Sequence, residues 1–210
     1  MKIAIVSESP ADEAAIKILV NAIIGDECDL FALRTRPFGW TTIFDLLPKI
    51  IPGLHYGYPE VEALVVVMDS DDTPAHQNSH DSSISENADC RLCRLRLTVA
   101  NAISRLRPLP NRRNIKTALG LAVPAIEAWY RAGLDPHVNE VAWSRKLLGE
   151  DVSYNKLSLK RDVYGSDKPS LSKETALAIE AARRLANDIR VLEELFPSGF
   201  GSLIRDLRNW

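Results

Sequence analysis

The sequence predicts an α/β fold: a four-stranded, mainly parallel sheet flanked by helices, with a helical cap at the C-terminal end. Three observations carry this. Apolar runs of strand length at residues 2–8, 29–35, 63–68 and 115–123 are separated by stretches with helical spacing. Alternating strands and helices imply parallel pairing through right-handed crossovers. At 210 residues, 46% apolar and 26% charged, the chain has the size and composition of one globular domain with an appendage.

Taken in order, Lys2-Ile3-Ala4-Ile5-Val6-Ser7-Glu8 reads as a buried first strand. Ser9-Pro10-Ala11-Asp12-Glu13 opens a helix with apolar positions Ala15, Ile18, Leu19, Ala22 and Ile23, and Gly25 ends it. After the second strand, 41–51 reads as a helix whose end is restricted by Pro48 and Pro52. Residues 73–89 are a polar insertion with no apolar period. A helix over 90–106 stops at Pro108-Leu109-Pro110. Pro124 stands where a helix can begin, and residues 125–132 carry Glu127 and Trp129. Residues 1–134 thus form the α/β core. Residues 135–210 form a helical extension packed on it: a short helix within 136–148, a polar stretch over 150–170, a strong helix over 173–195 and a terminal helix over 201–208.

Composition excludes several classes. Net charge is −2, so a nucleic-acid partner must be held by a local basic patch or by a metal. No apolar run approaches the ~20 residues of a membrane span. Met1-Lys2 leads straight into a strand without a signal sequence, and three cysteines make a disulfide framework unfavourable; both point to the cytoplasm. There is no Gly-x-x-x-x-Gly-Lys-Ser/Thr, no Gly-x-Gly-x-x-Gly after strand one and no Gly-x-Ser-x-Gly.

The chemistry concentrates in Leu64-Val65-Val66-Val67-Met68-Asp69-Ser70-Asp71-Asp72, where a buried strand runs into three carboxylates. Strands of open α/β sheets deliver ligand residues at their carboxyl ends. In extended chain Asp69 and Asp71 point to the same side. Carboxylates held that close are tolerable around a divalent cation, and hard oxygens suit Mg²⁺ or Mn²⁺. A solvated turn capping the next element is the plainer alternative. If strands one and three are adjacent and parallel, Glu8 lies on the same edge.

A glutamate ending strand one and Asp-x-Asp ending strand three resemble the Toprim superfamily of topoisomerases, primases, recombination-repair proteins and OLD-type nucleases. The resemblance implies a Rossmann-like Toprim core, with Glu8 as general acid/base or ligand and Asp69 and Asp71 as Mg²⁺ ligands. Ile5-Val6-Ser7-Glu8-Ser9-Pro10-Ala11-Asp12-Glu13, Ile126-Glu127-Ala128-Trp129-Tyr130 and Phe196-Pro197-Ser198-Gly199-Phe200 with Leu203 and Leu207 further resemble a small bacterial Toprim-like family. Its members lie beside ATPase genes in defence-type loci. That resemblance implies a nuclease-like effector with an ATPase partner, and it makes Glu127 a fourth acid of the site. A plain capping role at its helix start is the alternative for Glu127.

Two further clusters stand out. Cys90-x-x-Cys93 with His76 and His80 has workable spacing for Zn²⁺, although small thiols also pack quietly at a helix start. Arg91 and Arg94, just after the acidic loop, are candidates for substrate phosphates, with Lys156, Lys160, Arg161 and Lys168 extending the track. The expectation is a Mg²⁺-dependent (or Mn²⁺-dependent) nuclease hydrolysing DNA or RNA, with catalytic Glu8, Asp69 and Asp71 and metal ligands Glu8, Asp69, Asp71, Asp72 and Glu127. The alternative is a non-catalytic module that binds nucleic acid or an ATPase partner.

Overall fold

Ile3–Val6 and Ala63–Met68 are covered on both faces, as their unbroken apolar runs require. The computed structural model describes residues 1–33, 39–77, 79–80, 87, 89–110 and 112–210. The strands β1 (Lys2–Val6), β2 (Asp29–Phe31), β3 (Ala63–Asp69) and β4 (Lys116–Ala122) form one sheet of order β2-β1-β3-β4, parallel at every pair. The chain steps from β1 outward to β2, then returns to the other side of β1 as β3. The carboxyl ends of β1 and β3 therefore flank the point where strand order reverses, the crevice where open α/β sheets bind ligands.

Helix α1 (Pro10–Ile24) starts as its sequence dictates. The Ser9 hydroxyl accepts from the Asp12 amide at 3.2 Å, Pro10 fits the first turn, and Gly25 closes the helix at φ 76°. Helix α2 (Gly39–Gly57) runs through both Pro48 and Pro52 instead of ending at them. Two interior prolines cost about 6 kcal/mol together. Ile43, Leu47, Ile51 and Leu54 are buried along one stripe and repay about 6–12 kcal/mol. Pro48 stands on the exposed side.

Helix α3 (Arg91–Ser104) follows the polar insertion, whose residues 78, 81–86 and 88 lie outside the described residues. The second strand is shorter than read from sequence, ending at Phe31, and residues 34–35 of that reading also lie outside the described set. The Val123–Pro124 peptide is cis, and α4 (Ile126–Arg131) begins after an Ala125 N-cap rather than at Pro124.

The C-terminal part contains α5 (Glu140–Leu147), α6 (Lys156–Tyr164), α7 (Leu171–Ala186), α8 (Ile189–Leu195) and α9 (Gly199–Arg208). The polar stretch 150–170 thus hides a helix, capped by a reciprocal Asn155–Ser158 box. The single helix read over 173–195 is two, parted at Asn187-Asp188, a pair that favours caps over helix interiors. Helix α7 packs along α1, α6 packs on α4 and α7, and α9 packs on β4.

The α9 contact is close. A Cβ on Gly199 would lie 2.0 Å from the Leu121 carbonyl oxygen, and one on Gly120 would lie 3.2 Å from Leu203 Cβ. The start of α9 is held by buried Glu140, whose carboxylate accepts from the Ser198 and Gly199 amides and the Ser198 hydroxyl at 2.6–3.0 Å. The Asp206 carboxylate accepts from the Leu119 amide at 2.9 Å, and the Trp210 indole donates to the Thr117 carbonyl at 3.3 Å. The terminal segment therefore occupies backbone groups that the edge strand β4 would otherwise leave open. Among the described residues, no helix is long and apolar enough to cross a membrane.

Candidate functional site

The β3 strand ends at Asp69 and turns at once. Thr73 donates its amide and hydroxyl to the Ser70 carbonyl at 3.0 and 2.6 Å, and Asp71 takes φ 49°, a left-handed conformation aspartate tolerates. Asp69 and Asp71 thus face the same place because the chain turns, not because it stays extended. The turn lies along the exit of β4: the Ser70 amide donates to the Ala122 carbonyl at 2.7 Å and the Asp71 amide to the Pro124 carbonyl at 2.9 Å. The Trp143 indole holds the Asp71 carbonyl at 3.2 Å.

Glu8 reaches this turn from β1, and its Oε1 accepts from the Asp69 amide at 3.1 Å. One Asp69 oxygen accepts from the Ile126 amide at 3.0 Å, and the other accepts from Lys156 Nζ at 2.9 Å. The same ammonium donates to Asp71 Oδ1. Arg91, buried at the start of α3, donates through Nη1 to the Asp69 carbonyl at 2.7 Å and to Asp71 Oδ2 at 2.6 Å. Two carboxylates from one strand end thus converge on one cation, the Lys156 ammonium.

Beside them lies a cavity of about 410 Å³, lined by Glu8, Asp12, Asp69, Glu127, Lys156 and Lys160 among others. Burial pushes Glu8 up to about 7, with the Asp69 charge adding to it. Glu127 is pushed up to about 7 by the same two causes in the same order. Burial raises Asp69, and raises Asp12 well above the carboxylate range. Asp71 goes the other way: burial alone would raise it, but hydrogen bonds from Lys156 and Arg91 hold it below the usual range. Burial opposes the charge on Lys156, yet Asp69 and Asp71 raise it above the ordinary lysine value.

The structure brings Glu8, Asp69, Asp71, Glu127 and Arg91 together. It does not bring in Asp72, which is exposed, or Arg94, whose guanidinium lies 4.7 Å from the Phe44 ring centroid and 5.6 Å from that of Trp40. Arg161 of the expected basic track pairs with Asp167 instead. Asp12 is a site residue the sequence reading treated only as a helix-opening acid. The signal was present: Asp12 stands four residues after Glu8, in the first turn of a helix opened by an N-cap serine at the same sheet edge.

The second cluster lies at the other end of Arg91. His76, His80, Cys90 and Cys93 place one donor atom each within 4.8 Å of one another. His76 Nδ1 lies 3.6 Å from Cys90 Sγ and 3.5 Å from Cys93 Sγ, and the two imidazole rings meet edge-on with centroids 5.3 Å apart. His76, Cys90 and Cys93 are buried, and neither cysteine is in a disulfide. His80 Nδ1 is buried with no hydrogen-bond partner among the described residues. This group can hold a metal ion. No family model matches the chain, and no curated protein or solved structure shows significant similarity to it.

Proposed function

We propose that the chain is a Toprim-type nuclease that hydrolyses phosphodiester bonds with Mg²⁺ or Mn²⁺. The observation that carries this reading is the convergence of Asp69 and Asp71 on a single cation, with Glu8 held against the Asp69 amide beside them, at the reversal point of a parallel sheet. The donor set fits the ion: every side-chain donor is a carboxylate oxygen, and the Lys156 ammonium marks where a cation is stabilised. Glu8, Asp69 and Asp71 would hold it, with Glu127 facing them across the cavity. When bound, the metal supplies neutralisation of charge developing on the phosphate oxygens.

The remaining steps belong to the chain. Water attacks phosphorus, Glu8 takes the water proton, the bond to the leaving oxygen breaks, and that oxygen takes a proton from solvent water to leave as the alcohol. Burial raises Glu8 to about 7 in the metal-free chain, and a bound cation would lower it, leaving the carboxylate ionised and able to take a proton at neutral pH. Lys156, released from Asp69 and Asp71, and Lys160, four residues on along the same helix, meet the phosphate oxygens.

At the His/Cys group the ion is zinc. Zinc about 2.0–2.3 Å from tetrahedral donors holds them about 3.3–3.8 Å apart, and both sulfur–Nδ1 separations fall in that range. Free thiols at such a site suit a reducing cytoplasm. A partner ATPase and a role in anti-phage defence complete the reading, through the resemblance of the Glu8, Glu127 and Ser198-Gly199 segments to the small Toprim-like family.

A second reading has its own observation. Asp71 is already matched by Arg91 and Lys156, as in a site silent until a partner displaces the lysine, or in a module that only binds. The test is cleavage of plasmid DNA, single-stranded DNA and total tRNA in Mg²⁺ and in Mn²⁺, by the wild type, Glu8→Gln and Asp71→Asn. Metal-dependent cleavage lost in both variants supports the nuclease. Cleavage that survives both contradicts it.

A further inference from the structure

Arg91 links the two clusters. It lies between Cys90 and Cys93 in sequence, and its guanidinium reaches the Asp69 carbonyl and the Asp71 carboxylate. The chain that leaves the acidic site at Asp71 reaches His76 five residues later. It returns to the same site through Arg91, the residue after Cys90. The loop from Asp71 to Arg91 is thus closed twice, once at the His/Cys group and once at the Arg91–Asp71 ion pair.

The start of α3 has no side-chain cap. Cys90 is the N-cap of α3 and makes no side-chain cap bond, so the first turn of that helix lacks the usual hydroxyl or carboxylate anchor. Arg91 is 5% exposed, and its Nε has no hydrogen-bond partner among the described residues. Its plane is set by the Trp40 ring, 4.4 Å from the guanidinium carbon, and by the two Nη1 contacts. A shift of the α3 first turn by an ångström is enough to lose those contacts, because hydrogen bonds fail steeply with distance and angle.

We infer that zinc bound by His76, His80, Cys90 and Cys93 is the anchor of that turn, and that its occupancy sets Arg91 on Asp71 and so orders the acidic loop. Arg91 is then a positioning residue: it acts on Asp71, and the metal acts on it. Zinc on His76 Nδ1 leaves the ring proton on Nε2. Arg96, 3.3 Å from Nε2, would then no longer donate to that nitrogen, and its 2.9 Å contact with the Ser202 hydroxyl would remain open to it.

The inference rests on the zinc reading of the His/Cys group and is independent of cleavage, so it is tested without an activity assay. The full chain is purified, its zinc content is measured by mass spectrometry, and Co²⁺ is exchanged in to read the ligand set. One metal per chain with a tetrahedral thiolate–cobalt spectrum is expected; none retained, or an octahedral spectrum, overturns the site and the coupling together. Amide exchange of the peptide covering Asp69–Thr73 is then compared with zinc bound and after chelation. Stripping zinc is expected to speed exchange there about tenfold. Arg91→Ala should show the same speed with zinc still bound, and stripping it should add nothing; Arg91→Lys should restore part of the protection. Zinc present but Asp69–Thr73 exchange unchanged by its removal overturns the coupling alone. An Arg91→Ala protein whose loop still responds to zinc does the same.

Discussion

The two ligand-rich regions of this molecule are assembled in different ways. At the ends of β1 and β3, Asp69 and Asp71 meet a lysine from α6 and an arginine from α3, with Glu8 beside them on the Asp69 amide, so charge is met by charge from within the chain. At the start of α3, two thiols and two imidazoles pack against one another, and the Arg96 guanidinium lies 3.3 Å from His76 Nε2. The first region stores electrostatic stress that a stronger cation can relieve. The second is a set of soft donors at ligand spacing in an otherwise weakly anchored segment. On the proposed reading, the acidic region would react and exchange its cation, and the thiol region would hold structure.

That contrast is broken most readily at Glu8. Glu8→Gln is expected to lower cleavage about 10²–10⁴-fold, the size of a lost general base, while zinc content stays at one per chain. Loss of zinc in that variant would mean the regions are not separable in the way described. A loss of activity must also be told from a loss of fold. Gly199→Ala forces a Cβ into the Leu121 carbonyl and should cost about 3 kcal/mol, lowering Tm by about 6–12 °C. An unchanged melting curve would show that the α9 contact is looser than the structure has it.

Lys156→Gln sharpens the comparison from the other side. Removing the internal cation is expected to tighten Mn²⁺ binding about tenfold, since a positive charge a few ångströms away no longer competes. Titration calorimetry reads this directly, and weaker binding would make Lys156 part of the ligand set's support. A further effect is in pH. Glu8 and Glu127 are raised from 4.5 to about 7 in the folded chain, so the folded state binds more protons than the unfolded one across that window. Stability of the metal-free chain therefore falls as pH rises from 4.5 to 7. Zinc retention follows the opposite sign, weakening as pH falls and its ligands protonate. Melting curves at pH 5.5 and 8, with zinc content measured at each, separate the two.

The sheet was legible because its strands are buried on both faces and read as unbroken apolar runs, Ile3–Val6 and Leu64–Met68. Glu8 and Asp69 followed from those runs, since each stands where a strand leaves the core. Lys156 was seen only as part of a basic track. Helix α6 buries just Leu159 and Tyr164, too few apolar positions to show a helical period. The Asn155–Ser158 box was the one local sign of its start. Helix α2 was misread for the reverse reason: its prolines were visible, but the stripe that outweighs them acts through tertiary packing. The Asp69–Asp71 convergence was anticipated through an extended pleat and is produced by a left-handed turn, which spacing alone does not reveal.

On the proposed reading, the carboxylates at the ends of β1 and β3 would form a hard-cation site distinct from the thiol site. Mn²⁺ titration of the zinc-loaded full chain, followed by electron paramagnetic resonance, tests it most directly. The account predicts saturable Mn²⁺ binding in the wild type, lost in Asp71→Asn with zinc content unchanged. Mn²⁺ binding that persists undiminished in Asp71→Asn would contradict it.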